Sequence, residues 1–145
     1  MEPSYVHLQQ RFLLPVIVAL FFVLLLALIA ADDTVPRSVV AMAAVFMVFI
    51  LAVAAHFSRM KVTVTSDTIS AAFGSGWPRR TIYRSAIVSH TPVRNRWWYG
   101  WGLRWIPGGM LWNVWGLDAV ELVLDDGRRF RIGTDDPEGL DAALG

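Results

Sequence analysis

Between Asp67 and Asp118 the chain has no acidic residue, yet that stretch holds six arginines and all seven tryptophans. The arginines are Arg79, Arg80, Arg84, Arg94, Arg96 and Arg104; the tryptophans cluster most tightly at Trp97, Trp98, Trp101 and Trp105. Indole joins a large apolar body to one N–H donor, the pairing that suits a membrane–water interface. Guanidinium pairs with phosphate, and a basic charge near an anionic surface is worth about 1 kcal/mol. Arg94, Arg96, Trp97, Trp98, Trp101 and Arg104 are therefore the expected binding residues, for anionic lipid headgroups, a protein partner, or both. Tryptophan and arginine also dominate protein interfaces, so self-association or a hetero-oligomer stays open. Trp112 and Trp115 are expected to be structural. Single-stranded nucleic acid also suits arginine plus aromatics, but residues 58–145 carry only eleven basic against nine acidic residues, and no nucleic-acid partner is expected.

Other chemistry is thinly represented. His90 has Ser85 and Ser89 near it in sequence but no acid before Asp118, and no nucleophile-elbow motif occurs, so a hydrolase centred on His90 is the weakest reading. Asp135, Asp136, Glu138 and Asp141 read as capping and dipole compensation for a last helix rather than as cation ligands. Gly74-Ser75-Gly76 and Gly100-Trp101-Gly102 lack the strand-to-helix setting of phosphate loops. Cysteine is absent, which excludes disulfides, thiolate nucleophiles and cysteine metal ligands. The sequence nominates no catalytic, cofactor-binding or metal-binding residue, and the expected activity is association rather than catalysis.

The elements that would position the arginine and tryptophan segment begin with two apolar runs, residues 12–31 and 38–57. Each has 20 residues without a formal charge, the length a helix needs to cross a bilayer. The six residues between them, with Asp32, Asp33 and Pro36, allow only a tight turn and hence an antiparallel pair of spans. A cleaved signal peptide would have a shorter core of roughly 7–15 residues. Arg11 precedes the first run while Arg59 and Lys61 follow the second, which puts both termini on the cytoplasmic side of a multi-pass protein. The whole chain agrees: 145 residues, 55% apolar, 17% charged, mean hydropathy +0.47.

Residues 59–145 suffice for one small domain. Residues 59–65 and Thr68–Phe73 alternate as strands about Ser66-Asp67; residues 80–84 and 86–89 suggest a third strand bent near Ser85. Asp118–Leu124 and residues 128–132 flank Asp125-Asp126-Gly127, a strong hairpin signal. Asp136 and Pro137 fit the cap and first position of a short closing helix. Residues 91–117 match no strand pattern clearly. The division expected is 1–58 for the transmembrane hairpin and 59–145 for a cytoplasmic β domain.

This arrangement resembles small bacterial membrane proteins in which a helical hairpin precedes a pleckstrin-homology-like domain. The resemblance rests on the hairpin, the strand series from Arg59, the segment Tyr99-Gly100-Trp101-Gly102-Leu103-Arg104, and Ile132-Gly133-Thr134-Asp135-Asp136-Pro137-Glu138 before a short helix. It implies an α+β membrane protein of the bacterial inner membrane, with a bent antiparallel sheet or partly open barrel closed by a C-terminal helix. The first hairpin turn, Ser66-Asp67, lacks the basic cluster with which eukaryotic relatives hold phosphoinositides.

Overall fold

The computed structural model describes residues 2–145. It is an α+β fold with two sheets and three α-helices among the described residues. The chain opens on strand β1 (Tyr5–Gln10), then two apolar helices, α1 (Leu13–Ala30) and α2 (Arg37–Phe57). Eight strands follow in three groups: β2 (Arg59–Val64), β3 (Thr68–Phe73) and β4 (Arg79–Tyr83); β5 (Ile87–Arg94), β6 (Gly102–Ile106) and β7 (Gly109–Asn113); and finally β8 (Asp118–Leu124) with β9 (Arg129–Gly133). With β8 and β9 counted, eight strands lie between α2 and the closing helix α3 (Pro137–Leu144).

The helices pack against each other as antiparallel neighbours, joined by a turn in which Asp32 Oδ1 accepts from the backbone N–H and hydroxyl of Thr34. Their apolar side chains point outward: Leu20, Phe21, Leu24, Met42, Val45 and Phe49 are all exposed. No buried residue occurs in α2, which at 21 residues and mean hydropathy 2.7 is long and apolar enough to cross a membrane.

The first sheet is an antiparallel meander, β1-β2-β3-β4. β1 was not expected: the strand before the helices pairs with the strand after them, from Tyr5 opposite Val64 to Gln10 opposite Arg59. Residues 5–10 thus share a sheet with the segment assigned to a separate domain beginning at residue 59. Their pattern is inverted for a half-buried strand, since Val6 and Leu8 face solvent while Tyr5, His7 and Gln9 face inward. The second sheet runs β5-β8-β9-β7-β6. Its β7–β9 pair is parallel, from Gly109 opposite Arg129 to Trp112 opposite Ile132, which departs from the antiparallel sheet expected. At Gly109 a Cβ would sit 1.7 Å from the carbonyl oxygen of Arg129, so only glycine admits this pairing.

The expected third strand bent near Ser85 is instead two strands in different sheets. A 3-10 turn, Arg84–Ala86, turns the corner between β4 and β5. The Asp125-Asp126-Gly127 hairpin, the Thr68–Phe73 strand and the Asp136 cap form as their residue types dictate, with Asp136 Oδ1 accepting from the Gly139 N–H at 3.1 Å. Between the sheets lies one apolar core. Phe73, Trp112 and Phe130 meet there, with ring centroids 5.5 and 5.6 Å from Trp112, and Leu140 and Leu144 of α3 close it.

Candidate functional site

Strand direction gives the β fold two distinct ends. β1 runs into α1 and β2 runs out of α2, so Arg11, Ser58 and Arg59 mark the end from which the helices leave. β3 returns to that end at Phe73, and the loop at 74–78 carries Trp77 back onto α2: the Trp77 carbonyl hydrogen-bonds to His56, and the indole lies over a groove lined by Phe49, Val53 and His56. Gly74 makes this contact possible. It has φ +52°, and a Cβ there would lie 2.3 Å from the His56 ring.

The second sheet brings β5 to the same end at Arg94 and sends β6 away from it at Gly102. Between them lie the residues singled out by sequence. Arg94 pairs with Asp118 at 3.3 Å, so its charge is partly matched. The Arg96 guanidinium lies over the Trp98 ring, 5.1 Å from its centroid. Trp97 and Trp98 sit in a 3-10 turn, Trp97–Tyr99, meet edge to face at 5.8 Å, and are 76% and 57% exposed. That exposure of adjacent indoles requires explanation, because burying either ring removes a large apolar area from water. Trp101, still exposed on one side, stacks on Trp115, planes 7° apart at 4.6 Å, and Arg104 Nε donates to the Trp101 carbonyl at 2.8 Å.

Those last contacts wall a cavity of about 180 Å³ where the helices meet the sheets. Arg11 and Pro15 line it from the start of α1, Ala54, Phe57 and Ser58 from the end of α2, and Trp101, Gly102, Arg104, Val114 and Trp115 from the β fold. Two buried side-chain amides and one backbone N–H hold the Trp115 wall. Gln9 Nε2 donates to the Trp115 carbonyl at 3.4 Å, Asn113 Nδ2 to the Gly116 carbonyl at 3.0 Å, and the Asn95 N–H to the Leu117 carbonyl at 2.6 Å. Sequence reasoning missed Gln9, Asn95 and Asn113, whose polarity reads as loop or surface, and it missed Arg11 and Trp77 as members of the same end.

The six arginines of the acid-free stretch do not form one face. Arg80 lies over the Phe130 ring at 4.8 Å, and Arg84 Nη2 donates to the Leu144 carbonyl at 2.8 Å, closing the C-terminus of α3 at the opposite end. Arg79, Arg94, Arg96 and Arg104 stay at the helix end with Arg11 and Arg59. At the far end the Arg84 N–H donates to the Asp67 carbonyl and the Asp125 N–H to the Ala86 carbonyl, so Asp67, Asp125 and Asp126 lie there together with Arg84 and Arg128. Asp126 takes a 2.6 Å hydrogen bond from Arg128, which holds its carboxyl below the usual range.

His90 has an acid partner after all, Asp141 of α3, with Nδ1 and Oδ1 2.6 Å apart. No serine or threonine hydroxyl bonds to His90 among the described residues, and the pair ties α3 to β5. Two more of the C-terminal acids are engaged: Asp135 with His7 at 2.6 Å and Arg11 at 3.7 Å, Asp136 with the Tyr5 hydroxyl at 2.9 Å. Burial and that contact with Asp136 push the Tyr5 phenol well above its ordinary value of 10.0. Comparison with protein-family models, curated proteins and solved structures finds no match.

Proposed function

We propose that this chain is a non-catalytic, membrane-anchored binding module. In this reading α1 and α2 are the two spans of an inner-membrane anchor with both termini cytoplasmic. The β fold is a pleckstrin-homology-like domain whose Trp/Arg end rests on the leaflet and engages anionic headgroups. One observation carries it: the exposed indoles Trp77, Trp97 and Trp98 and the arginines Arg79, Arg94 and Arg96 lie at the end from which the apolar helices leave, while the turns at the other end carry no tryptophan and pair their acids with arginine, as Asp126 with Arg128. A bilayer around those helices meets that end first, and its interface layer is where indole is favoured. α3, packed against β5 and β8, matches the closing helix that the resemblance implies.

Hydrogen exchange on the full chain in nanodiscs tests this. Amides of residues 95–101 are expected to be more protected in discs containing phosphatidylglycerol than in phosphatidylcholine discs, with the difference lost at high salt and in Arg94→Glu/Arg96→Glu. Equal exchange in both discs at low salt would contradict headgroup engagement.

Trp105 favours a second reading, a subunit or scaffold of a membrane complex. It is 83% exposed on β6, whose outer edge pairs with no strand among the described residues, and a partner can add a strand at such an edge. Crosslinking in native membranes that survives Arg94→Glu/Arg96→Glu and disappears in Trp105→Arg would support it.

A further inference from the structure

We infer that the cavity at the helix–sheet junction holds the phosphodiester of one anionic phospholipid between Arg11 and Arg104. The inference rests on the membrane-anchored reading and adds to it a single site with defined walls. One wall is apolar, with Pro15 of α1 and Ala54 and Phe57 of α2 on the side facing the helices. The other carries Arg104 and the stacked indoles of Trp101 and Trp115, and Arg11 stands between the two walls where β1 enters α1. A cavity of about 180 Å³ is smaller than the roughly 300–1,000 Å³ sites that enclose a whole drug-sized ligand. It suits a headgroup phosphate with its glycerol, the acyl chains running outward along α1 and α2.

Both cations have capacity to spare. Arg104 uses Nε on the Trp101 carbonyl, and its Nη groups make no hydrogen bond or ion pair among the described residues. Arg11 stands 3.7 Å from Asp135, too far for a hydrogen bond, and Asp135 already binds His7 at 2.6 Å. Guanidinium geometry matches two oxygens of one phosphate. The first turn of α1 holds no acidic residue, and the carboxylate nearest Arg11 is Asp135, itself engaged by His7. A protein carboxylate would satisfy the same charges, but the apolar wall belongs to the helices, and a ligand touching both walls must be amphipathic.

Native mass spectrometry of the full chain in mild detergent tests this, with phosphatidylglycerol, phosphatidylcholine and inorganic phosphate as separate probes. The expected result is one retained phosphatidylglycerol per chain, with affinity reduced about tenfold or more in Arg11→Gln/Arg104→Gln. Binding should be unchanged in Arg128→Gln, whose side chain lies at the far end. Thermal unfolding of each variant identifies any loss caused by misfolding; should the double variant misfold, Arg104→Lys alone keeps the charge, gives up the planar fork, and should still weaken binding. Equal retention of both lipids, or of phosphatidylglycerol by wild type and a folded double variant, would overturn the site. Phosphate binding as tightly as the lipid would make it a soluble-anion site and overturn the lipid assignment. Membrane fractionation keeps the two readings apart: a chain that stays in membranes after alkaline wash but retains no lipid loses the pocket alone, and one released by the wash loses the anchor and the pocket together.

Discussion

The Tyr5 hydroxyl joins the first strand to the last helix through a carboxylate that also caps that helix. Asp136 was legible as a cap because an acid followed by proline at the start of an apolar periodicity leaves little else for it to do. Its second bond, to Tyr5 131 positions away, was not legible, since nothing local announces a contact of that range. Removing the hydroxyl with Tyr5→Phe should cost about 1 kcal/mol at neutral pH. The pH dependence has a definite sign. Because the folded value is raised, the unfolded chain ionises first, so this contribution is full below pH 10 and is lost as pH climbs above it. Unfolding midpoints measured upward from pH 9 should fall more steeply for wild type than for Tyr5→Phe; parallel curves would refute the coupling. His90 was read from sequence as a strand-end residue without an acid because Asp141 lies 51 positions away. His90→Ala should loosen α3 by about 1 kcal/mol, seen as faster amide exchange in residues 140–144 with little change in β2 and β3.

At the level of elements, what could be read from sequence was what local pattern encodes. The two apolar runs, the Ser66-Asp67 turn and the Asp125-Asp126-Gly127 hairpin all fall where residue types placed them. β1 escaped because its apolar residues Val6 and Leu8 face outward and its inner positions are Tyr5, His7 and Gln9, so no apolar inner face marks it as a strand. The Pro107-Gly108 turn between β6 and β7 carries a type II signature, with Gly108 at φ +85°, and was available in the sequence. The parallel β7–β9 pair was not, because register between distant strands is settled by tertiary fit. β1 has a practical consequence. A fragment starting at Arg59 removes one of the two partners of β2, whose Met60, Val62 and Val64 are almost fully buried. Such a fragment should lose cooperative unfolding and bind hydrophobic dyes, whereas the full chain should not; a cooperative fragment would show β1 to be dispensable. Gly74→Ala tests the junction between sheet and helix. A left-handed residue with a Cβ costs about 1–2 kcal/mol, and here the Cβ also displaces the His56 ring, so the Trp77 loop should come away from α2. Increased solvent quenching of tryptophan fluorescence would report that movement.

Across the whole molecule, net charge conceals a separation. A formal +1 over 145 residues is consistent with a cationic, indole-bearing end at the helices and an end away from them where Asp67, Asp125 and Asp126 are balanced by Arg84 and Arg128. The sequence showed that arginine and tryptophan were concentrated in one stretch. It did not show that Arg80 and Arg84 leave that group to pack on Phe130 and α3, or that Arg11, from the other side of the helices, joins it. The central claim is orientation: the end carrying Trp97 and Trp98 lies in the headgroup layer. The absence of cysteine makes the decisive measurement direct, because single labels can be placed at Trp98→Cys and Asp126→Cys in the full chain in anionic nanodiscs. Collisional quenching of a nitroxide at each position is predicted to show residue 98 accessible to oxygen and shielded from an aqueous nickel chelate, and residue 126 the reverse. Equal aqueous exposure at both positions would contradict the account.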